Sequence, residues 1–144
     1  MMRLRGDDGS TLPLVAGFTA LTLVVVLLVS AASSLYLERK RLLSVADGAA
    51  LVGAEAFEFD QVTFIDDTVV PRLESSRVAA AVQGYLDAEP TVERSQVQLV
   101  EAGTPDGRSA SVTLAARWTP PIVTAFIPDG VPLRVTSTAR SVFR

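Results

Sequence analysis

The sequence predicts an α+β fold: a long N-terminal transmembrane helix continues into a small domain, where a second helix packs on a three-stranded antiparallel sheet. Three observations carry this. From Gly9 to Leu37 no residue is charged, and a helix needs only about 20 apolar residues to cross a bilayer core of about 30 Å. Beyond that run the apolar residues keep a helical spacing. After Pro90 the period changes to two, the pattern of half-buried strands.

The apolar run, closed by Glu38-Arg39-Lys40-Arg41, has no polar face, so it does not read as an amphipathic helix of a soluble protein. Arg3 and Arg5 precede it, and Val29-Ser30-Ala31-Ala32 offers small residues to a signal peptidase. A signal h-region, however, spans only about 7–15 residues, and Ala and Ser also pack well in membrane helices. A retained anchor is therefore expected, with residues 1–41 as tail and anchor and residues 42–144 as a single domain. Basic residues flank both ends of the span, so charge alone leans slightly against a cytoplasmic N-terminus.

The helix is expected to run on without a break over 42–58. Leu42, Val45, Ala46, Ala49, Val52, Gly53 and Ala56 share one face; Lys40, Ser44, Asp47, Glu55 and Glu58 share the opposite one. Most of the apolar stripe is small, which permits close approach of another element. Either the chain's own domain or a neighbouring subunit can fill it, so Ala46, Ala49, Gly53 and Ala56 are candidate contact residues. Residues 61–72, polar and acidic, read as a loop. Ser75 is a candidate cap for a helix over 75–89, with Val78, Ala81, Val82 and Tyr85 buried, Leu86 at the margin, and Pro90 as the stop.

Strands follow at about 95–101, 109–118 and 131–143. Thr104-Pro105-Asp106-Gly107 is a turn signal that joins the first two into a hairpin. Ala110, Val112, Leu114, Ala116 and Trp118 alternate on one face. In the third strand, Leu133, Val135 and Ala139 point inward, with Arg134, Thr136, Thr138 and Arg140 outward. The connection over 120–130 is unusually apolar for a loop. It reads as a flap closing the core, or as an exposed patch in which Ile122 and Phe126 meet a partner or the membrane surface.

The chain has 144 residues, a formal net charge of -3, and neither Cys nor His. Disulfides, the usual structural zinc sites, Cys nucleophiles and His bases are thereby excluded. Past residue 41 thirteen acidic residues face eight arginines, so there is no clustered positive face for nucleic acid. A serine nucleophile would need Lys40 as its base, and Lys40, the only lysine, sits beside the membrane. Glu58, Asp60, Asp66 and Asp67 do not have the spacing of an EF-hand loop. No enzyme activity, cofactor, metal or small-molecule substrate is expected.

Gly9-Ser10-Thr11-Leu12-Pro13-Leu14 opens the span. Leu35-Tyr36-Leu37-Glu38-Arg39-Lys40-Arg41-Leu42 closes it, followed by Ala46-Asp47-Gly48-Ala49-Ala50-Leu51-Val52-Gly53-Ala54. This order resembles the TadE/TadG-like proteins of Flp (tight adherence) pilus systems, in which a hydrophobic helix leads to a tyrosine, basic residues and an alanine-rich segment. Trp118-Thr119-Pro120-Pro121, Phe126, Gly130 and Val135-Thr136-Ser137-Thr138-Ala139-Arg140 are similar too, closest to the actinobacterial TadG-related type. Processed prepilins of such systems carry a Glu five residues after the cleavage glycine, where this chain has Leu14. The resemblance thus implies a membrane-anchored structural or accessory component of a pilus assembly or secretion apparatus. It also implies a single-pass protein with an extracytoplasmic C-terminal domain and other subunits of the apparatus as partners. The alternative is a membrane-tethered binding or sensor module of the cell envelope.

Overall fold

The computed structural model describes residues 11–56, 63–65, 68–70, 72–90, 96–119 and 128–140. Helix α1 (Leu12–Ala54) is one unbroken helix of 43 residues, about 65 Å long at 1.5 Å per residue. Its start tolerates Pro13 because the first-turn N–H groups have no partner inside the helix. Thr19 and Thr22 donate their hydroxyls to the carbonyls of Val15 and Phe18, each at 2.8 Å, so neither hydroxyl is left unpaired among apolar side chains. Every residue from 11 to 30 is exposed, and the first half-buried one is Ala31. α1 is long and apolar enough to cross a membrane.

The expected continuation to residue 58 is shorter in the structure. α1 stops at Ala54, and the Glu55 N–H closes the last turn on the Leu51 carbonyl at 3.1 Å. Gly53, a poor helix former, stands in that turn. Ala56 lies past the helix, and Phe57 and Glu58 are outside the described residues. The expected loop over 61–72 also needs correction, because it holds an antiparallel pair, β1 (Thr63–Ile65) and β2 (Thr68–Val70), with Phe64 opposite Val69. Both runs are β-branched or aromatic, a signal masked in the sequence by the surrounding acidic residues.

Helix α2 (Ser75–Ala88) is preceded by Glu74 at the capping position, with no side-chain cap. Ser75 is not the cap: its Oγ accepts the Thr104 N–H at 3.2 Å, tying the start of α2 to the sheet. Val78 and Val82 are fully buried and Leu86 is nearly so, whereas Ala81 and Tyr85 are half-buried. Leu86 and Tyr85 thus exchange the positions expected of them.

The main sheet has the order β3-β4-β5, all antiparallel: β3 (Gln98–Gly103), β4 (Ser109–Trp118) and β5 (Val131–Arg140). β3 begins later than expected, and its register shifts between Leu99 and Glu101. That bulge inserts Val100, so Val97, Leu99 and Ala102 all pack toward the core while Val100 stays exposed. β4 is the central strand and matches expectation at both ends. Its Ala110, Val112, Leu114 and Ala116 are buried, and Trp118 is half-buried. In β5, Val135 is buried, with Leu133 and Ala139 packed beside it. Residues 141–143 of the expected third strand are outside the described residues. The far face is polar, with Thr113 and Thr136 hydroxyls 2.9 Å apart across β4 and β5.

α1 lies over β4 and β5, α2 lies over β3, and the two helices touch. The core is therefore a helix-on-sheet layer in which the C-terminal part of α1 is one of the two helices. The turn after β3 is built as its residues require. Gly107 adopts a positive φ of 71°, and Asp106 Oδ1 accepts the N–H groups of Arg108 at 2.9 Å and Ser109 at 2.6 Å.

Candidate functional site

The small-residue stripe of α1 is filled by the chain itself. Ala46, Ala49, Ala50 and Ala54 are fully buried, and Gly53 is buried with them. A Cβ built on Gly53 would stand 3.1 Å from Val78 Cγ1, 3.2 Å from Ala110 Cβ and 3.3 Å from Val82 Cγ2. Gly53 thus lets α1 approach both α2 and β4 closely. Gly48 performs the same service for Tyr85, whose hydroxyl oxygen an added Cβ would meet. Burial raises the Tyr85 pKa above the ordinary phenol value, and the Glu89 carboxylate adds to the rise.

Of the candidate contact residues, Ala46, Ala49 and Gly53 come together in the domain core, and Ala56 is half-buried just beyond it. Ile122 and Phe126 are outside the described residues. Ala50 and Ala54 were missed by the single-face reading. They sit four and eight residues after Ala46, on the side of a stripe wide enough to meet both a sheet and a helix. On the face expected to be polar, Ser44, Asp47 and Glu55 are exposed together with Leu43 and Leu51. Asp47 there accepts the Ser137 hydroxyl at 2.5 Å, fastening β5 to the helix.

Closer to the apolar run, two features of the domain meet α1. The Trp118 indole N–H donates to Ser34 Oγ at 3.2 Å. Beside it, Ala32, Leu35, Tyr36 and Arg39 of α1 and Pro132, Leu133 and Arg134 of β5 line an open groove of about 460 Å³. Glu38 is paired with Arg41 at 3.9 Å, and Lys40 Nζ lies 5.9 Å from the centre of the Tyr36 ring. Among the described residues, no three Asp or Glu side chains come together to hold a metal ion.

No curated protein and no solved structure matches the chain. Residues 9–56, one third of the 144, match the Tad family model, whose description is "Putative Flp pilus-assembly TadE/G-like". The matched segment coincides with α1, so the likeness covers both the uncovered apolar part of the helix and the part that forms the domain core.

Proposed function

We propose that this protein is a membrane-anchored structural or accessory component of a Flp-type pilus assembly apparatus, of the actinobacterial TadG-related type. Residues 12–30 cross the bilayer once, and the domain stands on the extracytoplasmic side among other subunits of the apparatus. The carrying observation is the family match over residues 9–56, which falls on a helix built for both tasks. An uncharged surface exposed at every residue from 11 to 30 has no stable place in water. Because the same helix continues into the core, a load on the domain passes to the membrane without a flexible joint. The reading assigns the protein no catalysis and no cofactor; its work is positional.

The test is deletion of the gene and complementation in a piliated host, with surface pili counted by electron microscopy. The proposal expects loss of pili and recovery with the full chain. It also expects the full chain, solubilised from membranes, to co-purify with other components of the apparatus. Normal piliation without the protein, together with no such co-purification, contradicts the proposal.

A further inference from the structure

The uncovered part of α1, residues 12–30, is about 28 Å long at 1.5 Å per residue, close to the hydrocarbon thickness of a bilayer. The domain begins to cover the helix at Ala31, and the Trp118–Ser34 hydrogen bond follows within one turn. This places Trp118 and Tyr36 at the level where amphipathic aromatic rings collect in membrane proteins. The groove between α1 and β5 opens at that same level. Its lining is apolar (Ala32, Leu35, Pro132, Leu133) apart from Tyr36 and two exposed arginines, Arg39 from α1 and Arg134 from β5. Neither arginine has an ion-pair partner among the described residues. The nearest carboxylate along the helix, Glu38, is paired with Arg41.

Resting on the membrane-anchored reading, we propose that this groove seats an anionic phospholipid of the bilayer that α1 crosses. The lipid phosphate lies between Arg39 and Arg134, and an acyl chain descends along Leu35 and Ala32. The charge pattern selects this occupant. Two guanidinium groups beside an apolar lining complement a phosphate above a hydrocarbon chain, and guanidinium binds phosphate through two parallel hydrogen bonds. Seating a lipid there fixes the tilt of the domain on the membrane surface, because its two sides, α1 and β5, pack on each other.

The full chain in vesicles gives the test. Trp118 is the only tryptophan, and it pairs with Val131, next to the groove wall. Its fluorescence is quenched by brominated lipid chains that approach it closely. Vesicles containing brominated phosphatidylglycerol among unlabelled phosphatidylcholine are compared with the reverse mixture. The proposal expects quenching to favour phosphatidylglycerol, by about fivefold for each arginine engaged at an anionic surface. The preference falls to near unity in the Arg39→Gln/Arg134→Gln variant. It persists in Arg41→Gln, which lies about 200° around the helix from Arg39. Equal quenching by the two lipids, no quenching by either, or a preference that survives the double variant overturns the proposal. Loss of the preference on adding inorganic phosphate assigns the site to a soluble anion and overturns it too. Flotation of the same vesicles separates the two readings. A chain that floats without lipid preference leaves the anchor standing and removes only the lipid site, whereas a chain that does not float removes both.

Discussion

Trp118 and Ser34, 84 positions apart in the chain, are joined by a hydrogen bond of 3.2 Å from the indole N–H to the serine hydroxyl oxygen. It ties the end of the central strand to the helix just beyond the uncovered apolar segment. Together with the Ser137–Asp47 bond farther along, it holds the sheet against α1 at two heights. Between these two contacts α1 is one unbroken helix.

Gly53 is enclosed by Val78, Val82 and Ala110, with all three contacts of an added Cβ between 3.1 and 3.3 Å. Gly53→Leu is expected to destabilise the domain by at least the about 1–3 kcal/mol typical of overpacking. Gly84→Leu, inside α2 with open space around it, is expected to be stabilising by up to about 1 kcal/mol, since leucine is the better helix former. Urea midpoints of the full chain in detergent micelles make the comparison. The defect belongs to the fold, so it is also present without any partner subunit.

Gly48 and Tyr85 should show coupling. An alanine in a helix interior ordinarily gains about 1 kcal/mol over glycine. Here the added Cβ runs into the Tyr85 hydroxyl oxygen. Gly48→Ala is therefore expected to destabilise the parent protein and to stabilise the Tyr85→Ala variant, a sign reversal that a double-mutant cycle detects. Additive effects would mean that the ring simply swings away.

Leu114 is fully buried in the middle of β4. Leu114→Asp places an unpaired carboxylate among Val78, Val82 and the α1 alanines of one core cluster, and the domain is expected not to fold. Leu51→Asp, at a position 54% exposed, is expected to shift stability by no more than about 0.5 kcal/mol. Protease resistance of the domain distinguishes the two.

Asp106 accepts the N–H groups of Arg108 and Ser109 on one oxygen and the Ser109 hydroxyl on the other. These bonds, the Arg108 N–H first, hold its pKa below the ordinary carboxylate value. The folded state thus favours the ionised form. The resulting stability is complete above the ordinary carboxylate pKa and is lost as pH falls through the lowered one. Stability measured against pH should decline less steeply on the acid side in Asp106→Asn than in the parent.

The elements with strong local signals were legible in the sequence. The uncharged run, the alternation of 109–118 and the Thr104–Gly107 turn each point to one structure. Errors arose where tertiary contacts decide. Ser75 was free to cap α2, but the Thr104 N–H claims its hydroxyl. The bulge at Val100 moves the inward phase of β3 by one residue, which period-two reading cannot anticipate. The small residues of the α1 stripe permit close approach of some element, but only the fold reveals that the chain's own α2 and β4 fill it. The Arg39–Arg134 groove unites residues distant in sequence, and no local pattern marks it.

In the function we propose, the domain is built on the membrane helix itself and stands outside the cell. Because the chain has no cysteine, single cysteines can report it. Leu21 and Leu51 are similarly exposed on the same helix, at 59% and 54%, and the proposal places only Leu21 inside a bilayer. A membrane-impermeant maleimide applied to intact cells should label Leu51→Cys and leave Leu21→Cys unmodified, even after lysis without detergent. Labelling of Leu21→Cys at the rate of Leu51→Cys, or labelling of Leu51→Cys only after the cells are broken, would contradict the account.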